Sequence, residues 1–317
     1  MATVFLTGAA GFIGSWTAHA LADRGDTVVG VDNFNPYYDP TLKRRRAERL
    51  GKKIKLYEAD IVDLDAMKRI FKENKIDKVC HLAAQAGVRY SLENPFAYEN
   101  ANNLGTLNLL EVCRERGVKS FIYASSSSVY GGNTKVPFSV DDSVDRPISL
   151  YAATKKYNEL MAHTYHHLFG MHTTGLRFFT VYGPWGRPDM ALFKFTDAIL
   201  KNKPIDVYNH GKMKRDFTYV TDIVSGILAS LDKNYPYEVF NLGNSATVEL
   251  SYFIECIEKE LGRAAKKNLM PMQPGDVPAT YADIDKSRKM LGFDPKVKIE
   301  QGIKEFIGWY KDYFKSN

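Results

Sequence analysis

Tyr151 and Lys155 stand four positions apart in the run Tyr151-Ala152-Ala153-Thr154-Lys155. On a helix that spacing puts a phenol and an ammonium on one face. A cation beside a phenol stabilises the phenolate and lowers its pKa toward working pH, which is the tuning a general base needs. Upstream, the hydroxyls of Ser125, Ser126, Ser127 and Ser128 follow an apolar run at 121–124, whose carboxyl end would face a ligand crevice in an open α/β sheet. Such a group can move a proton to or from an alcohol or carbonyl oxygen.

A second constellation lies at the amino end. Gly8-Ala9-Ala10-Gly11-Phe12-Ile13-Gly14 follows a β-branched run and opens a helical segment. Glycines so placed permit a tight turn, close approach of a pyrophosphate to the backbone and close helix–strand packing, while the helix N-terminus supplies donors and a positive dipole end. Asp32 closes the next strand candidate 18 positions after Gly14. An acid there accepts from the adenosine ribose and repels a 2′-phosphate, so the pattern favours NAD over NADP. Asn33 and Asn35 follow it and join Phe12, Ile13 and Gly14 as candidate cofactor contacts. Lys43–Arg46 forms either a phosphate-neutralising run or, as the reading preferred here, the solvated face of a short helix. Asp60-Ile61 either meets the adenine or caps a helix before Leu64.

These side chains need a sheet to position them. Short β-branched runs at 3–7, 27–31, 54–58, 78–82, 120–124 and 173–179 alternate with helix-like segments near 11–24, 64–74, 101–116 and 152–169. The alternation predicts βαβ units and a doubly wound parallel (Rossmann) sheet, an α/β fold. The rhythm breaks after Gly183-Pro184 and recovers at 222–230 and 239–242. The expected division is therefore a dinucleotide-binding domain of residues 1–183 plus about 216–242, with a smaller α/β lobe from about 184–215 plus 243–317.

The chain has 317 residues, long enough for a sizeable core, and 43 Lys and Arg against 37 Asp and Glu give a net charge of +6. The basic residues are scattered and form no stripe for a nucleic-acid backbone. No apolar run approaches the roughly 20 residues of a spanning helix. The apolar start at 4–6 runs straight into the glycine turn, leaving no room for a signal peptide, so a cytoplasmic location is expected. Cys80, Cys113 and Cys256 lie far apart and read as buried free thiols with no metal-site spacing.

With the glycine loop, the serine run and the Tyr-x-x-x-Lys pattern in this order, the chain resembles the extended short-chain dehydrogenase/reductases from Gly8 to about Phe293. The resemblance implies that Tyr151 is the general acid/base, that Lys155 binds the nicotinamide ribose and lowers the Tyr151 pKa, and that Ser126, four residues before Tyr130, bonds the reacting oxygen. It also places Leu82, Ala83 and Ala84, in the run that begins at His81, along the cofactor, and makes Asn102 a structural residue. Helices at 101–116 and 152–169, with Tyr165, Leu168 and Phe169, would pair with their copies in a homodimeric four-helix bundle.

Epimerase, dehydratase, decarboxylase and reductase chemistry all occur in that family. Dehydrating and decarboxylating relatives carry an acid just after the Ser or Thr, whereas Ser127 and Ser128 stand here, so oxidation and reversal at C4 of a nucleotide sugar is the simplest reaction. In the lobe, Val207, Tyr208 and Arg215 resemble the nucleotide-sugar site, with Arg215 toward the diphosphate or else paired with Asp216. Segments containing Arg89, Thr180, Arg187, Gln273 and Asp276 are similar to the UDP-glucuronate 4-epimerases. That similarity implies a UDP-sugar bearing a carboxylate, with Ser127, Ser128, Thr180 and Arg187 as candidates to hold it. Alternatives are a neutral UDP-glucose or UDP-GlcNAc 4-epimerase, a UDP-glucuronate decarboxylase, or a non-catalytic NAD-binding regulator. The last would be expected to have lost Tyr151 or Lys155.

Overall fold

The computed structural model describes residues 1–272 and 277–315. Its first part comprises β1 (Thr3–Thr7), α1 (Phe12–Asp23), β2 (Thr27–Asp32), α2 (Pro40–Leu50), β3 (Lys55–Glu58), α3 (Leu64–Glu73) and β4 (Lys78–His81). Two short turns, α4 (Tyr90–Glu93) and α5 (Pro95–Tyr98), precede α6 (Gly105–Arg116), β5 (Ser120–Ser126), α7 (Leu150–Phe169) and β6 (His172–Phe178). Side-chain caps start the helices: Asp39 accepts from the Thr41 N–H (2.8 Å) beside Pro40, Asp63 from Ala66 (2.9 Å) and Ser149 from Ala152 (3.1 Å). The helix expected from residue 101 begins instead as a π-helical turn, Glu99–Leu104, which carries the buried Asn102.

Beyond β6 come β7 (Thr180–Tyr182), α8 (Ala191–Leu200), β8 (Pro204–Tyr208), β9 (Lys214–Arg215) and β10 (Phe217–Tyr219). The chain returns through α9 (Val220–Lys233) and β11 (Tyr237–Leu242) and finishes with β12 (Val248–Glu249), α10 (Leu250–Leu261), β13 (Lys266–Met270), α11 (Asp285–Leu291) and α12 (Ile299–Lys315). Seven parallel strands form one sheet in the order β11-β6-β5-β4-β1-β2-β3. The order reverses beside β1, which opens a crevice at the carboxyl ends of the strands. The return helix and strand expected near 222–242 supply α9 and β11. Three small pairings had no counterpart in the sequence reading: β7 with β10, β8 with β13 and β9 with β12.

One face of the sheet packs on Ala18 and Leu21 of α1 and on Ile223, Ile227 and Leu231 of α9. The other packs on α3, α6 and α7 through Met67, Ile70, Leu109, Leu110 and Ala162. A third cluster, including Leu192, Ile205, Val207, Phe217, Phe253 and Phe306, forms the lobe core and reaches Phe12 at the start of α1. Cys80, Cys113 and Cys256 are buried free thiols. Tyr165 corrects an expectation: it is buried with its phenol donating to Glu111, which leaves Leu168 and Phe169 as the exposed members of that trio. Among the described residues no helix is long and apolar enough to cross a membrane.

Helix α7 is locked to the sheet by a buried ion pair. Glu159 accepts two bonds from Arg177 of β6 (2.8 and 2.9 Å), one from Ser125 at the end of β5 (2.6 Å), and Arg177 also donates to the Tyr130 phenol (3.0 Å). Removing one partner strands the other charge. Glu159→Ala is therefore expected to cost roughly 3–5 kcal/mol in a denaturant titration. A loss below about 1 kcal/mol, the range of exposed pairs, would contradict this account.

Candidate active site

The carboxyl ends of β1, β2, β4 and β5 open on a cleft of about 490 Å³. Gly8 turns there with φ +68°, and a Cβ on it would come within 2.9 Å of the Ala83 nitrogen. A Cβ on Gly14 would lie 1.9 Å from the Gly8 carbonyl oxygen, so the loop and α1 touch as closely as backbone allows. Helix α1 starts at Gly11 without a side-chain cap, leaving its N-terminus to an anion such as a pyrophosphate.

Asp32 accepts from the N–H groups of Ala10 (3.0 Å) and Phe34 (2.9 Å), and each oxygen keeps a lone pair for a ribose hydroxyl. Burial raises its pKa, against the charge of Lys43. Asn33 donates to Asp60 (2.8 Å), and Lys43 donates to the Asn35 carbonyl (2.8 Å). Gly11, Phe12, Ile13, Ile61, Leu82, Ala83 and Ala84 line the same wall. The donor set fits a dinucleotide. Asp60 is not a helix cap, since Asp63 performs that task for α3.

The basic run 43–46 departs from the expected solvated face. Arg44 is exposed and paired with Glu58, and Arg45 is exposed beside Glu48, but Lys43 and Arg46 are buried. They lie on the face of α2 that also buries Leu42 and Leu50.

Tyr151, Lys155 and Glu159 form one stripe on α7, and the first two line the cleft. Lys155 donates to the Ala124 carbonyl (2.8 Å), and its nitrogen lies 6.0 Å from the centre of the Tyr151 ring. Burial pulls the Lys155 pKa down to about 8. Tyr151 differs from expectation, because burial raises its pKa and only a hydrogen bond with Ser126 and the charge of Arg187 oppose that rise. Lys155 spends its charge at the carbonyl end of β5. Ser126 also donates to Ser128 (3.1 Å), while Ser125 turns away to Glu159.

Behind the cleft, His81 sits between the hydroxyls of Thr7 (2.7 Å) and Thr106 (3.0 Å), its pKa pushed down to about 3 by burial and the Lys155 charge. Thr7 in turn accepts from the N–H groups of Leu82 (3.1 Å) and Ala83 (3.0 Å). Asn102 accepts from the Gln85 N–H (2.8 Å) and donates to Thr154 (2.9 Å), which ties the loop after β4 to the first turn of α7.

At the far end of the cleft stand Ser127, Ser128, Thr180, Arg187 and Arg215. Arg187 is half-buried and pairs with Asp189 through its Nε (3.0 Å) and Nη2 (2.5 Å). The Arg215 guanidinium donates to the Lys214 carbonyl (3.0 Å), whereas Asp216 is fully buried and accepts from the Asn244 and Ala282 backbone, its pKa raised by burial to about 6. The alternation of β8 turns the Val207 side chain, with that of Ile205, into the lobe core. The Arg89 guanidinium lies 5.1 Å from the Tyr208 ring centre. Gln273 and Asp276 lie outside the described residues. Sequence reasoning missed Tyr37, which lines the cleft and donates to Asp189 (3.2 Å).

Burial of the Lys155 ammonium makes the stability of the fold depend on pH. The folded pKa of Lys155 lies below the unfolded value, so the folded chain binds fewer protons between about pH 8 and 10.5, and stability rises with pH across that window. Below it the full penalty remains. Lys155→Met is expected to raise the melting temperature of cofactor-free protein at pH 7, with the gain shrinking above pH 8. A gain that does not change with pH would contradict the assignment.

A family model described as GDP-mannose 4,6 dehydratase matches residues 5–306. UDP-glucuronate 4-epimerase 4 of Arabidopsis thaliana is 51% identical over 336 residues, covering 99% of this chain and 76% of that protein. A probable UDP-glucuronate 4-epimerase of Rhizobium meliloti is 47% identical, covering 98% and 97%. The solved structure of UDP-glucuronic acid 4-epimerase from Bacillus cereus, in complex with UDP-glucuronic acid and NAD, superposes with a TM-score of 0.92 at 36% identity, covering 98% of this chain and 99% of that one. The likeness extends over both the sheet and the lobe, and the chain belongs to the GDP-mannose 4,6 dehydratase family of extended short-chain dehydrogenase/reductases.

Proposed function

We propose that this chain is an NAD-dependent 4-epimerase that interconverts UDP-glucuronate and UDP-galacturonate without loss of carbon dioxide. The observation that carries the reading is a cation in the reaction cleft: Arg187 lines the same cavity as Tyr151, Ser126 and Lys155. A neutral sugar would not need that charge. A carboxylate one carbon from the reacting carbinol would.

Gly8, Gly11, Gly14, Asp32 and their neighbours would hold NAD, which would supply a reversible hydride acceptor. Tyr151 takes the C4 hydroxyl proton and later gives it back. Ser126, which lines the cleft with that phenol, steadies the same oxygen. Lys155 orients the ribose and, as an ammonium, favours the phenolate once charge develops there. Arg215 serves the diphosphate.

The 4-keto sugar is a β-keto acid, and its carboxylate leaves if the C5–C6 bond aligns with the carbonyl π system. Ser127, Ser128, Thr180 and Arg187 hold the carboxylate out of that alignment. The Asp189 partner tempers the guanidinium, so the hydroxyls share the grip and neither sugar face is over-stabilised.

Helices α6 and α7 are proposed to pair with their copies in a homodimer, since Leu104, Leu160, Leu168 and Phe169 remain exposed there. The protein is proposed to work in the cytoplasm.

Purified protein given UDP-glucuronate should form UDP-galacturonate without releasing carbon dioxide. Formation of UDP-xylose, or turnover of neutral UDP-hexoses alone, would overturn the reading. Tyr151→Phe should lower kcat by ~10²–10⁴-fold with the fold intact. Light scattering should give twice the chain mass, and Leu160→Glu with Leu168→Glu should give monomer. A monomeric wild type would remove the dimer proposal.

A further inference from the structure

Arg46 is fully buried in α2, yet among the described residues no carboxylate pairs with it. An isolated buried charge is costly unless hydrogen bonds satisfy it. All five of its N–H groups have acceptors. Nε and Nη2 meet the Trp185 carbonyl at 3.0 and 2.6 Å, and Nη2 also meets the Gly186 carbonyl at 3.1 Å. Nη1 meets the Tyr38 phenol at 2.7 Å and the Ala10 carbonyl at 3.4 Å. One guanidinium thus joins the glycine-rich loop to the turn immediately before Arg187.

That turn is strained. Trp185 has φ +64°, a left-handed conformation that bulky residues avoid. Arg49, one turn down α2, lies 4.5 Å from the Trp185 ring centre, and Trp309 and Tyr313 pack on the same ring. A second link runs in parallel from the loop before α2, where Tyr37 donates to Asp189, the partner of Arg187.

We propose that Arg46 is a positioning residue: by holding the Trp185 and Gly186 carbonyls it fixes the strained turn and so aims Arg187 at the carboxylate end of the substrate. The inference rests on the proposed uronate reaction. It makes α2, an element of the cofactor wall, part of the substrate specificity apparatus. Substrates without the carboxylate should not sense it.

The test uses Arg46→Lys, which keeps charge and stem but offers three donors, and Arg46→Met. At saturating NAD, Arg46→Met should raise the KM for UDP-glucuronate about tenfold, a modest misplacement effect, with Arg46→Lys lying between it and wild type. The inhibition constant of UDP, which carries no sugar, should stay within twofold. Combined with Arg187→Met, either variant should add almost nothing, because both act through one contact. Arg49→Met, which loosens the same turn from its solvent side, should shift KM in the same direction and covers the case in which an Arg46 variant fails to fold. Additive losses, or equal weakening of UDP and UDP-glucuronate, would reduce Arg46 to a structural residue. Wild type that fails to epimerise UDP-glucuronate would instead remove the reading beneath the inference.

Discussion

The register of α7 against the carboxyl end of β5 is the constraint on which the site depends. Tyr151, Lys155 and Glu159 follow one another at intervals of four and meet, in turn, the Ser126 hydroxyl, the Ala124 carbonyl and the Ser125 hydroxyl. The helix therefore reads three consecutive residues of one strand end. A slip of one helical residue would rotate all three side chains off that strand by about 100°. Arg177 closes the arrangement from β6, and its bidentate pair with Glu159 fixes the helix in the direction along which Tyr151 must reach.

The same packing sets the electrostatics. His81, beneath the cleft, is kept neutral and donates or accepts only within the hydroxyl pair of Thr7 and Thr106, so it adds no charge beside Lys155. Lys155 and Asp32 are each held in surroundings that disfavour their charged forms, and both line one cleft. The folded chain carries that penalty in order to present an ammonium and a carboxylate where ligand hydroxyls can reach them. A ligand that restores their partners recovers stability in proportion to its binding.

Much of this was legible because parallel strands buried on both faces appear as continuous β-branched runs, and because a helical pair spaced by four needs no tertiary knowledge. The lobe was less legible. Its strands are short and pair across long stretches of chain, as β8 does with β13, so local pattern carries little of the pairing. Within β8 the period of two does hold: Ile205 and Val207 alternate inward, Asp206 and Tyr208 outward. Arg46 shows a pattern that was missed. Read as one of four basic residues it belongs on the surface, but it lies four positions after Leu42 and four before Leu50, on the stripe that turns inward.

Charge at the substrate end is arranged for restraint. A free guanidinium would grip a carboxylate strongly in one orientation, whereas the sugar has to present both faces of C4 to the same hydride site. Arg187 gives two of its five N–H groups to Asp189, so its field is reduced without its donors being exhausted. Three hydroxyls that line the same cleft, Ser127, Ser128 and Thr180, rotate at little cost, so in the proposed reaction they would follow the carboxylate as the ring turns over. An acid in place of Ser127 or Ser128 would repel that carboxylate and put a proton-transfer group beside C5, which opens the eliminating and decarboxylating routes. The absence of an acid at those two positions thus has a physical reading: the site lets the keto sugar rotate and gives its carboxylate no help in leaving.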